Sequence, residues 1–118
     1  LHKLMPLLAN LQAAGQRVAL LTDGRLSGAS GQVLAALHLT PEAAAGGALA
    51  QVVDGDLISL DAHSACLHLH VPDEQLAERL PARAAAAVAS GYGLELFAAQ
   101  RRLVGPADQG ACCPNEDD

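Results

Sequence analysis

Between Leu21 and Gln32 the chain cannot simply run on as strand or helix. The stretch Thr22-Asp23-Gly24-Arg25-Leu26-Ser27-Gly28-Ala29-Ser30-Gly31 gathers three glycines, two serine hydroxyls, one carboxylate and one guanidinium within ten residues. It follows the short apolar run Val18-Ala19-Leu20-Leu21, which reads as a buried strand. A loop that only turns the chain needs one or two glycines. Closely spaced glycines let a backbone reach φ > 0 and approach a ligand. The hydroxyls and Arg25 add donors, and Ser27 adds a group able to act as nucleophile or base. This loop is the candidate site.

Any core must be aliphatic, because Tyr92 and Phe97 are the only aromatic residues among 118. That length fits one domain. Residues 1–108 are expected to form it and residues 109–118 a flexible acidic tail ending in Glu116-Asp117-Asp118. The net charge of −6 and the lack of a basic run argue against nucleic acid as a partner. No apolar run approaches the ~20 residues of a membrane span. The start, Leu1-His2-Lys3-Leu4-Met5-Pro6, lacks an initiator methionine and a signal-peptide pattern, which suggests a piece of a longer polypeptide. The three cysteines, Cys66, Cys112 and Cys113, form no framework, and neighbours Cys112 and Cys113 are ill placed to pair with each other. Reduced thiols and a cytoplasmic location follow as the expectation.

Leu4, Leu7, Leu8 and Leu11 recur at helical spacing, so residues 5–14 are expected to be an amphipathic helix stopped at Gly15, with the leucines as core or, on an excised domain, in part as an apolar patch facing a missing partner. Residues 18–22 read as a strand. Residues 33–39 read as strand or short helix, with His38-Leu39 at the exposed end. Thr40-Pro41-Glu42-Ala43 reads as a helix start capped by Thr40, ended quickly by Gly46-Gly47. Residues 48–53 read as a strand and Asp54-Gly55 as a turn. The alternation in 56–61 and 66–71 predicts two half-buried strands paired as a hairpin around Ala62-His63-Ser64. A helix from Pro72-Asp73-Glu74 carries Leu76 and Leu80 and closes at Pro81. After the alanine-rich stretch 82–93, a last helix over 94–103 is expected to pack through Leu96, Phe97 and Leu103. Hairpins covered by helices point to an α/β or α+β barrel-like domain.

The blocks Thr22 to Gly31, Thr40-Pro41-Glu42-Ala43, Gly46-Gly47 and Val53-Asp54-Gly55-Asp56 resemble, in order and spacing, the C-terminal part of the dihydroxy-acid dehydratase and 6-phosphogluconate dehydratase family. The continuation Ser27-Gly28-Ala29-Ser30-Gly31, the start Leu1-His2-Lys3-Leu4 and the ending Gln109-Gly110-Ala111-Cys112 look more like its phosphogluconate branch. The resemblance implies a swivelling β/β/α barrel-like domain with flanking helices. It implies a larger N-terminal domain, absent from this chain, that holds a 4Fe-4S cluster, and a Mg2+ ion in the full-length enzyme. A metal-binding Met-Pro-Glu motif of the family would end just before Leu1. No metal ligand and no cofactor is assigned to this chain alone. The implied partners are that N-terminal domain and a sugar-acid phosphate, in a homodimeric parent.

The implied reaction removes water from 6-phospho-D-gluconate to give 2-dehydro-3-deoxy-6-phosphogluconate. A proton leaves C2, hydroxide leaves C3, and the enol becomes a ketone. The resemblance assigns the base to Ser27, whose oxygen needs aligned donors or nearby positive charge to ionise; read by itself, Ser27 reads first as a cap of the following segment. Arg25 can hold a carboxylate or phosphate with its planar fork, or pair with Asp23. Asp23 orients Arg25 and the loop backbone, or forms an Asx turn. Ser30 donates to phosphate or closes the turn, Gly28 admits the ligand, and His38 is a candidate substrate contact. His63, His68 and His70 invite a metal reading, against which stands plain solvent exposure on a strand face. The reading is thus a hydro-lyase domain, inactive by itself. Its alternatives are a dihydroxy-acid or other sugar-acid dehydratase domain, or a non-catalytic anion-binding module.

Overall fold

The computed structural model describes residues 3–26, 31–81 and 92–113. Helix α1 (Met5–Ala13) carries Pro6 in its first turn, where a missing N–H costs nothing. It ends in a Schellman arrangement. Gly15 takes φ +85°, its N–H donates to the Gln12 carbonyl, and Gln16 N–H donates to the Leu11 carbonyl, each at 3.0 Å. The helix matches expectation but its leucines do not form a core. No residue of α1 is buried, and Leu4, Leu7 and Leu11 are 38%, 59% and 41% exposed.

Strands β1 (Ala19–Leu21) and β2 (Leu34–Ala36) pair in parallel, Leu20 opposite Ala35. The segment 22–33 is therefore the crossover of a parallel pair, which needs about a dozen residues or more. Leu20 and Val33 are buried at either end of it. Strands β3 (Ile58–Asp61) and β4 (Cys66–Leu69) form the expected antiparallel hairpin, with Ile58 opposite Leu69 and Leu60 opposite Leu67. Period-two alternation sends these four to one face and Ser59, Asp61, Cys66 and His68 to the other. Ile58, Leu67 and Leu69 meet Leu21, Leu39, Leu49 and Val52 around an apolar cavity of about 170 Å³. Among the described residues the strands form two separate two-stranded sheets within a small mixed helix and strand domain.

Four local expectations are corrected. The segment 48–53 is a 3-10 helix (Ala48–Gln51), not a strand; the Gly47 carbonyl accepts from Ala50 N–H and so starts a turn where a short apolar run alone is ambiguous. The helix expected from Thr40 begins later, as a 3-10 turn (Ala43–Ala45) preceded by Glu42, although Gly46 ends it as expected with φ +87°. The last helix breaks at Phe97 into α3 (Tyr92–Leu96) and α4 (Ala98–Leu103), and Leu96, Phe97 and Leu103 are exposed rather than packed. Helix α2 (Asp73–Glu78) begins where expected but stops before Leu80, which is 92% exposed. Of the segment assigned to a tail, residues 109–113 curl back, with Gly105 N–H donating to the Cys112 carbonyl at 2.9 Å. Residues 114–118 lie outside the described residues.

A polar knot joins the middle of the chain. Arg79, at the end of α2, grips Asp56 with both arms, Nη1 to Oδ2 at 2.6 Å and Nη2 to Oδ1 at 2.9 Å. Its Nη1 also donates to the Gln51 carbonyl at 3.1 Å, and Gln51 Nε2 returns a bond to the Leu76 carbonyl at 2.8 Å. Asp56 Oδ2 accepts from Val53 N–H at 2.9 Å as well. These bonds hold the Asp56 carboxyl below its ordinary value, the Arg79 guanidinium first and the Val53 amide second. The same pair raises the affinity of Arg79 for its proton. The carboxylate and guanidinium are mostly shielded, at 8% and 18% exposure, so solvent weakens the pair less than it would an open surface pair.

This packing is testable in two places. A depressed carboxyl pKa contributes stability that is fully present above the ordinary aspartate value of 3.8 and is lost as pH falls through the lower folded value. In urea unfolding, the stability gap between the native chain and Asp56→Asn should be constant above about pH 5 and should shrink below about pH 4. Gly47 is packed against the Pro41 carbonyl so closely that a Cβ would lie 1.8 Å from its oxygen, whereas a Cβ on Gly93 would meet nothing within 4 Å. Gly47→Ala should therefore lower stability by about 2 kcal/mol or more, while Gly93→Ala, inside α3, should be neutral or stabilising by up to ~1 kcal/mol. Thermal unfolding of the two variants reads the contrast.

Candidate functional site

The glycine loop leaves the C-terminal end of β1 and is stitched to the chain beyond β2. Thr22 N–H donates to the Ala36 carbonyl at 3.0 Å, and Leu39 N–H donates to the Thr22 carbonyl at 3.2 Å. His38 N–H donates to the Gly24 carbonyl at 3.2 Å. Thr22 Oγ1 accepts from Gly24 N–H at 3.0 Å, a hydroxyl-closed turn two residues long. The local turn thus belongs to Thr22 and not to Asp23. Asp23 instead reaches across the fold, its Oδ2 accepting from Ala43 N–H at 2.9 Å. Ala43 opens the 3-10 turn, and a carboxylate at that point satisfies a donor that the turn itself leaves free.

Arg25 is exposed and makes no ion pair with Asp23; among the described residues the ion pair is Arg79–Asp56. His38 is exposed and takes φ +54°, a left-handed conformation rare for a residue with a Cβ. Its backbone bond to Gly24 brings it beside the loop, so Asp23, Gly24, Arg25 and His38 form one neighbourhood. Ser27, Gly28 and Ser30 lie outside the described residues. The loop's stem is defined as a two-sided clamp, with Ala36 to Leu39 on one side and Ala43 on the other.

Glu42 was legible only as part of a helix start. In the folded chain its Oε1 also accepts from Ala107 N–H at 3.1 Å, at the first residue of the 3-10 turn Ala107–Gln109. A cleft of about 740 Å³ opens between these turns, walled by Pro41, Glu42 and Ala45 on one side and by Arg101, Pro106 and Asp108 on the other. On the polar face of the hairpin, His68 and His70 stack edge to face with ring centroids 4.6 Å apart, and Ser59 Oγ lies 2.7 Å from His70 Nε2. His63 sits in the turn, its N–H donating to Asp61 Oδ1 at 2.8 Å. Hydrogen bonds from the Ser64 hydroxyl and then from the His63 and Ser64 amides hold the Asp61 carboxyl below its ordinary value. Among the described residues no three His, Cys, Asp or Glu side chains are grouped to hold a metal ion.

Residues 2–111 match the family model described as the dihydroxy-acid/6-phosphogluconate dehydratase C-terminal domain. The chain belongs to this family. It is 48% identical over 111 residues to the phosphogluconate dehydratase of Rhizobium meliloti, an alignment covering 93% of this chain and 18% of the relative. It is 49% identical over 116 residues to the phosphogluconate dehydratase of Escherichia coli K12, covering 96% of this chain and 19% of the relative. A dihydroxy-acid dehydratase from Methylococcus capsulatus is 44% identical over 97 residues, covering 82% of this chain and 17% of the relative. The chain thus spans about a fifth of the length of the curated relatives it matches.

The left-handed backbone at His38 yields a direct test. His38→Gly removes the Cβ that disfavours φ +54°, while His38→Val adds a branched one. The glycine variant should be more stable than the valine variant by about 1–2 kcal/mol in denaturant unfolding.

Proposed function

We propose that this chain is the C-terminal part of a hydro-lyase that converts 6-phospho-D-gluconate to 2-dehydro-3-deoxy-6-phosphogluconate and water. The observation that carries the reading is the likeness, over nearly the whole chain, to proteins named phosphogluconate dehydratase. The clamped loop stem supports it, because a base must be held within roughly 3 Å of the hydrogen it removes. In this reading Ser27 takes the proton from C2, the electron pair of that C–H bond forms the C2–C3 double bond, and the C3–O bond breaks. The departing oxygen leaves as water after gaining a proton, and the enol tautomerises to the 2-keto product. Exposed Arg25 offers a planar pair of donors to the substrate carboxylate or phosphate. Gly28, Ser30 and His38 complete the proposed contacts. Asp23, whose Oδ2 accepts from Ala43 N–H, is given no substrate contact in this reading.

A 4Fe-4S cluster and a Mg2+ ion belong to the proposal for the longer polypeptide. The described residues do not fit either group: Cys66, Cys112 and Cys113 are exposed and free, and no ligand set is assembled. Both are assigned to the preceding part of the polypeptide, and no step is derived through them. That part is also the proposed partner that covers Leu4, Leu7 and Leu11 at α1, and the two-sheet arrangement is proposed to complete a swivelling barrel-like domain there. The chain alone is proposed to be inactive. Free, exposed thiols support a reducing compartment such as the cytoplasm.

The likeness to a dihydroxy-acid dehydratase supports a second reading, the same elimination on a branched-chain dihydroxy acid. Assaying the full-length parent with both substrates separates the two. Ser27→Ala in that parent should lower turnover of 6-phosphogluconate at least ~100-fold, the scale of a general base. Turnover within a few-fold of the parent, in protein of equal cluster content, would rule out the base assignment.

A further inference from the structure

We propose that Asp23 is a positioning residue of the glycine loop, acting through its bond to the Ala43 amide and not through substrate. The proposal deepens the reading above and rests on it. Three observations carry it. The Asp23 carboxylate is spent on a partner 20 residues away in the chain, at 2.9 Å, in a half-buried setting. That partner is itself immobilised. The Glu42 carbonyl accepts from both Ala45 and Gly47 at 2.9 Å, and Gly47 is wedged against Pro41 with no room for a side chain. Glu42 Oε1 in turn ties the same turn to Ala107. The 3-10 turn at Ala43–Ala45 is therefore a fixed post.

The other side of the stem is held by main-chain bonds alone, Thr22 to Ala36 and Leu39, and Gly24 to His38. Those bonds tie the stem to β2 and the residues just beyond it. The Asp23 side chain adds a second, independent anchor to a turn that is not part of the sheet. Arg25 and Ser27 follow Asp23 closely in sequence, so the direction in which the chain leaves Gly24 sets where both can reach. Misplacing a reacting group by about 1 Å can cost on the order of 100-fold in rate. The chemistry needs only an acceptor at this point, because Ala43 N–H is neutral. An asparagine carbonyl oxygen can replace the carboxylate, whereas a methyl group cannot.

The test uses the full-length parent with its cluster in place. Asp23→Ala should lower kcat for 6-phosphogluconate about 10- to 100-fold with KM changed less than about threefold, and Asp23→Asn should restore kcat to within about fivefold of the parent. Ala43→Pro removes the donor from the opposite side. Proline suits the first position of the turn, and extended Glu42, at ψ 153°, suits a residue before proline. It should reproduce the loss, and the double variant Asp23→Ala/Ala43→Pro should be no worse than the poorer single one, since both cut one bond. This second variant carries the test should Asp23→Ala fail to fold. A purely structural role would lower the unfolding temperature and leave kcat of the folded enzyme intact, which overturns the proposal. A loss carried by KM, or an asparagine variant as poor as alanine, also overturns it by pointing to a charge contact with substrate. The Ser27→Ala control separates the two layers. If it retains turnover, the base reading has failed; if it is inactive while Asp23→Ala and Ala43→Pro turn over at the parent rate, only the positioning role has failed.

Discussion

The Asp23–Ala43 hydrogen bond is the constraint that ties the root of the glycine loop to a separate part of the fold. It joins the end of a parallel strand, of which Leu20 is buried, to a 3-10 turn that would otherwise begin with a free amide. A carboxylate oxygen on a backbone N–H is a charge-assisted bond, stronger than its neutral counterpart. Its reach gives a glycine-rich crossover, with much backbone entropy to lose, a defined root. A second carboxylate repeats the device, Glu42 on Ala107, so two short turns are each anchored by an acid from far along the chain.

The domain relies on such polar struts because its apolar core is small. Among the described residues only Leu20, Val33 and Ala50 are buried hydrophobics, while large leucines on α1, α3 and α4 face outward. With few apolar contacts to lock the elements, the bidentate Arg79–Asp56 pair and the Gln51 bonds orient α2 against the segment that leads into the hairpin. Exposed leucines at this density are unusual for a self-sufficient domain and suit one whose surface continues into a larger protein. That fits relatives about five times as long, of which this chain matches the C-terminal fifth.

The link from fold to chemistry runs through backbone geometry rather than through a gathered set of reactive side chains. The described part of the site contains an exposed guanidinium, an exposed imidazole held by a left-handed backbone, and a carboxylate already committed to structure. That inventory offers one cationic donor group and a tether for the loop stem. It does not by itself activate water or polarise a hydroxyl, which is why the proposed elimination draws on the rest of the polypeptide.

Local patterns by themselves determined the elements whose cause is local. Helical leucine spacing with Gly15 behind it specifies α1, and period-two alternation on either side of the Ala62 to Ser64 turn specifies the hairpin. The family was legible from the order of its blocks, beginning with the glycine-rich stretch. What only the tertiary structure decided are the long-range bonds. Asp23 reads as a local turn former until Ala43 arrives beside it, and Glu42 reads as a helix start until Ala107 does. In each case the deciding partner lies beyond the local window, and periodicity and propensity report only on neighbours within a turn or two of the chain.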